Sequence, residues 1–350
     1  MGISSRRLSS TEFVPLLPGL LTPRAEPATL EDMARALQTL VLPGAVLSHT
    51  TAAVFHGVPV PWWADGGIGL LMRRPDPLTG TRRLSLFAPA PGGSGAPSRG
   101  PGGRAPRSPV LRVPHLHCRM QGPRLSAGQN VTIHRMVPGA TVSWRGLVLS
   151  SLWETLLELA LTLDHDEVVI AIDHLVGPAG CRPGVDLARV RTEVAAFAGR
   201  RGHRALLAAV DDAREGVESP GETRTRLLLI RAGFPEPTCN LPVRDPDTGQ
   251  LRRIDAAYDR WRIGVEYDGD VHRGKGAWRG EHARRDSLES IGWTLRRLTA
   301  DDIREPARFL TALRRTFIAA GASAPPLSTW TGSTAQALGR PRNRPRPAAR

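Results

Sequence analysis

The sequence predicts an α+β protein in two parts, the second with α/β character: an α-β-β-α-β-α domain around a central mixed sheet. Three observations carry this: short alternating apolar runs bounded by turn residues, capped helical stretches between them, and two abrupt shifts of composition. A chain of 350 residues with 41% apolar content can bury a core in each part.

Thr29 followed by Asp32 marks a helix start, and Leu30, Met33, Ala34, Leu37 and Leu40 give that helix one apolar face until Pro43-Gly44 ends it. Ser48 predicts the N-cap of a short helix through Ala52, Ala53 and Phe55, stopped by Gly57. Leu70–Arg73, Arg83–Phe87, Leu111–Leu116, Asn130–Val137 and Thr141–Leu149 read as strands. Ser151–Leu163, Glu167–Val176, Asp186–Phe197 and His203–Ala213 read as helices. Residues 88–109 are Pro, Gly, Ser and Arg with little to bury, a flexible insert.

The second part opens on Ser219-Pro220-Gly221-Glu222, which has a cap, a proline at the first helical position and a carboxylate three residues after the cap. That helix ends at Gly233. Strands Arg252–Tyr258 and Trp261–Tyr267 follow around the Asp259-Arg260 turn, then a helix Arg279–Ser290, a strand Trp293–Leu298 and a helix Asp301–Ala320. The expected organisation is an α+β domain at 11–176, a helical connector at 177–216, the second domain at 217–320 and a disordered basic tail at 321–350. The tail holds Arg340, Arg342, Arg344, Arg346 and Arg350 among prolines.

A formal charge of +14 attracts polyanions, and Lys275 is the one lysine in a chain whose other cations are arginines, the side chain that grips phosphate bidentately. Charge alone does not choose between nucleic acid and an anionic membrane face; nucleic acid, above all DNA, is the expected partner, and the sequence does not identify a protein partner. No apolar run approaches the roughly 20 residues that cross a bilayer, and Met1–Ser10 lacks the apolar stretch of a signal peptide, so no membrane partner and a cytoplasmic location are expected. Cys118, Cys181 and Cys239 form no paired motif and are expected as thiols.

If the turn pairs Tyr258 with Trp261, Asp255 lies opposite Gly264, and alternation sets Glu266 and Asp268 on the same face. Asp255, Glu266 and Asp268 could then hold a hard divalent cation through oxygen, with Gly264 leaving room between them. Ile254, Ala256, Ile263, Val265 and Tyr267 would pack on the helices from the other face. The same charges also suit an exposed edge strand, and a slip of one residue would turn Asp255 away. Glu222 has a capping role beside any catalytic one. Arg284, Arg285, Arg296 and Arg297 form a basic surface that could also hold phosphates. Strand alternation separates His117 from Cys118, which speaks against a metal site at His115, His117 and Cys118.

Glu222, Asp255, the run Val265-Glu266-Tyr267-Asp268-Gly269 with His272, then Leu288 and Gly292-Trp293, together resemble the very-short-patch-repair-like endonuclease domain of the PD-(D/E)XK nuclease superfamily, over roughly residues 217–315. The resemblance implies a restriction-endonuclease-like fold and a DNA endonuclease or nickase of repair or defence. It further implies Mg²⁺, or Mn²⁺ in its place, on Asp255 and Glu266, with help from Glu222 and proton transfer by His272. Asp268 stands where the superfamily usually has lysine; His272 and Lys275 are the nearby substitutes. Upstream, Leu47-Ser48-His49-Thr50-Thr51-Ala52-Ala53 with Gly57, and Gly146-Leu147 with Trp153-Glu154-Thr155, are similar to the abortive-infection type IV antitoxin domain. The alternative functions are a non-catalytic DNA-binding or antitoxin-like regulator on a degenerate nuclease fold, and a nuclease directed at RNA.

Overall fold

The computed structural model describes residues 4–25, 28–61, 115–121, 128, 130–135, 138–178, 180, 184–246, 248–269 and 284–331. The expected strands at 70–73 and 83–87, the insert, His272 and Lys275 lie outside them. The protein is α+β, and the chain divides into two compact units, Met1–Thr162 and Leu163–Arg350.

In the first unit a helical turn α1 (Ser5–Leu8) precedes the hairpin β1 (Phe13–Leu17) and β2 (Leu20–Pro23). The hairpin turns at Pro18-Gly19, where Gly19 takes a φ of +75° that a type II turn needs. Helix α2 (Leu30–Ala36) begins at the expected box: Thr29 Oγ1 accepts from Asp32 N at 3.1 Å and Asp32 Oδ2 from Thr29 N at 2.9 Å. It runs on into a π-helical turn, Leu37–Val41.

The larger sheet has the order β5-β4-β3-β7-β6, from β3 (Val46–Leu47), β4 (Leu116–Met120), β5 (Val131–Arg135), β6 (Thr141–Trp144) and β7 (Leu147–Ser150). The single strand expected over 141–149 is a hairpin. Arg145 and Gly146 have φ of +47° and +81°, the left-handed pair of a type I′ turn. Helix α3 (His49–Phe55) starts after Ser48 as expected, but the Ser48 side chain makes no cap bond; Glu158 Oε2, from α4 (Leu152–Thr162), accepts from His49 N at 2.8 Å instead.

The second unit begins earlier than the sequence suggests. Helix α5 (His165–Val176) belongs to it because Asp173, 1% exposed, is bonded to equally buried Arg226 at 3.0 Å, to Thr223 Oγ1 at 2.9 Å and to Arg214 N at 2.7 Å. Helices α6 (Leu187–Ala195), α7 (His203–Asp212) and α8 (Pro220–Arg231) follow.

The mixed sheet of this unit runs β11-β10-β9-β8, with β8 (Thr238–Arg244), β9 (Leu251–Tyr258), β10 (Ile263–Asp268) and β11 (Thr294–Thr299). Only β10 with β11 is parallel. The expected order lacked β8, whose Pro242 a sheet tolerates at an edge. Residues 284–290 are helical. The last expected helix is two, α9 (Ala300–Arg304) and α10 (Ala307–Ala319), parted at Pro306.

Both faces of this sheet are packed. Leu228, Leu229, Ala256, Ile263, Val265, Leu310 and Phe317 form one core and Ile254, Ala257, Leu288, Trp293 and Leu295 the other. Residues 321–331, expected as the start of a disordered tail, are ordered. Trp330 is fully buried against Phe234, and its indole N–H donates to Thr311 Oγ1 at 3.1 Å. A stretch rich in Pro and Ser is thus anchored by one large ring, and truncation at Gly321 is expected to cost stability as well as charge.

Candidate active site

The register between β9 and β10 differs from expectation by two residues. Tyr258 pairs with Ile263, because Asp259–Trp261 form a 3-10 turn closed by Arg262 in the left-handed region, φ +52°. A shift of two preserves the faces, so Asp255 and Glu266 stay on one side and, by continuation of the register, stand level with each other. Gly264 is not the opening between them: a Cβ there would meet Ile254 and Leu295 at 2.8 and 2.7 Å. Ile254 also leaves the face expected for it, since β9 is irregular opposite Asn240, whose φ is +47°.

The paired residues of β9 and β10 end at Ala256 and Val265. Beyond them the Asp255 side chain takes over from the ladder, its Oδ2 accepting from Tyr267 N at 2.9 Å. Burial pushes the Asp255 carboxyl up to about 7, the nearby carboxylates of Glu222 and Glu266 push the same way, and the Tyr267 N–H and Arg284 oppose them.

Glu222 reaches this place from the first turn of α8. Its Oε1 accepts from Ser219 Oγ at 2.8 Å, and its Oε2 accepts from Glu218 N at 2.9 Å and Asn240 Nδ2 at 2.6 Å. The capping role and the place beside Asp255 are therefore held together. Gly221 sets this proximity, because the Tyr267 ring lies across α8 where a Cβ would come within 2.1 Å of it. Gly221→Ala should destabilise the unit by about 1–3 kcal/mol, the usual cost of overpacking, despite alanine's better helix propensity. Urea denaturation checks this; an unchanged midpoint would show that Tyr267 moves aside freely.

Glu266 is ion-paired with Arg284, which also donates to the Arg253 carbonyl at 2.7 Å. Asp268, expected as a third ligand, pairs with Arg297 at 3.2 Å on the neighbouring strand. The site that forms is thus Glu222, Asp255 and Glu266, with Asp268 turned to an arginine. Among the described residues these acids do not form a group of three whose ligand atoms all lie within 4.8 Å of one another. Nor are the four expected surface arginines bare: Arg285 pairs with Glu289, and Arg296 donates to Thr316 Oγ1.

In the first unit, His117 and Cys118 do point apart: Cys118 is buried and its thiol pushed up to about 11 by burial, while His117 is half-buried. The structure joins His117 to His49 and His134, which lie far from it along the chain, so no local spacing marks the three as a group. Their ligand atoms lie within 4.8 Å of one another. Cys118 and Cys239 are free thiols.

The chain is similar to two uncharacterised proteins of Mycobacterium tuberculosis, from strains CDC 1551 / Oshkosh and ATCC 25618 / H37Rv. Each is 25% identical over 202 residues, which cover 57% of this chain and 73% of the relative. No family model and no solved structure matches. No helix among the described residues is long and apolar enough to cross a membrane.

Proposed function

We propose that the second unit is a metal-dependent nuclease of the very-short-patch-repair-like kind, cutting phosphodiester bonds of DNA as an endonuclease or nickase. The observation that carries this reading is the gathering of Glu222, Asp255 and Glu266, from a helix and two strands, where β9 and β10 part. A net charge of +14 supports a polyanionic substrate.

The donor set fits a hard cation, since it offers carboxylate oxygens whose mutual repulsion Arg284 relieves only in part. Asp255 and Glu266 would hold Mg²⁺ or Mn²⁺, which when bound supplies Lewis acidity and neutralises phosphate charge. Tyr267 N–H fixes the Asp255 carboxyl, Asn240 fixes Glu222, and Arg284 is placed to hold Glu266 or to grip a phosphate. Proton transfer is assigned to His272, three residues after Gly269 of the motif.

One observation favours the alternative of a DNA-binding regulator without turnover: Asp268, at the usual lysine position, is engaged by Arg297. Incubating untagged protein with supercoiled plasmid and Mg²⁺ or Mn²⁺, against an EDTA control, separates the two. Metal-dependent nicking supports the nuclease; binding without nicking supports the regulator.

Deleting residues 332–350 removes Arg340, Arg342, Arg344, Arg346 and Arg350 and spares Trp330. Each phosphate contact contributes a slope of about −0.9 in log affinity against log salt, so losing five arginines should flatten the dependence by up to about 4.5. An unchanged slope in a salt titration would show that these arginines do not touch DNA.

A further inference from the structure

We propose that His49, His117 and His134 bind a borderline divalent cation of the Zn²⁺ type, at a site separate from the acidic cluster. The three imidazoles come from the start of α3, from β4 and from β5. Parallel pairing sets Arg119 beside His134, so His117 and His134 are diagonal neighbours on one face, and His117 Nδ1 lies 2.9 Å from His134 Nε2. Two nitrogens sharing a tetrahedral Zn²⁺ stand about 3.3 Å apart, given bonds of about 2.0–2.1 Å, so a small opening of this pair admits the ion. The His49 ring stacks on His134 with centroids 3.5 Å apart and brings the third nitrogen.

His49 is held there at a cost. Its φ of +51° is a backbone conformation that side-chain-bearing residues rarely adopt, and Glu158 Oε2 secures it through the His49 N–H. His49 Nδ1 lies 3.0 Å from Ser48 Oγ and 4.0 Å from Glu158 Oε2, the kind of partners that orient a ligating imidazole. Burial holds all three rings below the ordinary histidine range, His49 at about 2 and His117 at about 3, so they are neutral with lone pairs available at pH 7. Arg119 acts in the same direction as burial on His49 and is a positive charge that would repel a bound cation; it lies 3.6 Å from the Glu158 carboxyl. A set of nitrogen donors selects Zn²⁺, Co²⁺, Ni²⁺ or Cu²⁺ over Mg²⁺ and Ca²⁺.

The test uses untagged full-length protein, stripped with chelator and titrated with Zn²⁺ alone and with Co²⁺ alone. The expected result is one tightly held Zn²⁺, a raised melting temperature, and the intense visible absorption of tetrahedral Co²⁺ on nitrogen. His117→Gln and His134→Gln should each weaken Zn²⁺ at least about tenfold. Glu266→Gln should leave it unchanged, which keeps this site distinct from the proposed nuclease centre. The Co²⁺ spectrum of the parent decides even where a variant folds poorly. No retained Zn²⁺ and no such band in the parent would overturn the proposal, as would Zn²⁺ binding lost in Glu266→Gln and intact in both histidine variants.

Discussion

Asp255→Asn should lower metal-dependent nicking at least about a thousandfold while leaving the protein folded, and at neutral pH more stable than the parent. The loss reflects the several kcal/mol of charge stabilisation that a bound cation supplies, at about 1.4 kcal/mol per factor of ten. Asparagine keeps an oxygen for the Tyr267 N–H, so the bond that replaces the ladder survives. The stability gain follows from the sign of the shift. Asp255 is pushed from 3.8 to about 7 in the fold, mainly by burial, so the unfolded chain releases its proton first. Its contribution to stability is complete below about pH 4 and is lost as pH rises through about 7. Parent and variant should therefore diverge between pH 5 and pH 8 in urea titrations, and nicking by the parent should rise over the same interval as the carboxyl ionises. A variant equally destabilised at both pH values would mark Asp255 as a structural ion-pair partner. Arg253, two residues away on the same strand, is instead paired with Glu218, and Arg284, the arginine that acts on Asp255, is paired with Glu266.

Arg226→Met should be the most damaging single change to the fold of the second unit, costing about 3–5 kcal/mol. Both partners of the Asp173–Arg226 pair are 1% exposed. Removing the guanidinium leaves a carboxyl that burial already pushes above its ordinary range, and Arg226 is the largest influence opposing that push. Arg226 is itself incompletely satisfied: its Nε and Nη1 have no hydrogen-bond partner among the described residues. The pair is therefore costly to break rather than strongly stabilising when intact, and the double variant Asp173→Asn/Arg226→Met should recover part of the loss. Denaturant midpoints for the two variants decide this; a loss below about 1 kcal/mol for Arg226→Met would show that water reaches Asp173.

The parts of the fold legible in the sequence are those specified locally. The boxes at Thr29/Asp32 and Ser219/Glu222 fix helix starts with two or three side chains, and both helices begin there. Strand alternation placed Asp255 and Glu266 on one side, and it survived a register error because that error was even. What could not be read depends on distant partners. Membership of α5 in the second unit is decided by Asp173 meeting a residue 53 positions away. Trp330 reads as part of a polar tail until Phe234 and Thr311 are brought to it. The Arg145-Gly146 turn was visible as turn chemistry but lay inside a run read as one strand. Asp268 illustrates the limit of pattern alone, since it keeps the expected face and yet Arg297 on β11 takes its carboxylate. The histidine cluster is the extreme case, because α3, β4 and β5 must be assembled before its members meet.

The most direct test of the proposed centre is the melting temperature of untagged parent, Asp255→Asn and Glu266→Gln as Mg²⁺ is raised at pH 8, where Asp255 is ionised. A ligand that binds only the folded state stabilises by RT ln(1 + [L]/Kd), about 2.7 kcal/mol at a hundredfold excess over Kd. The expected result is a saturating rise for the parent and almost none for either variant. Equal rises in all three proteins would contradict an ion held by Asp255 and Glu266.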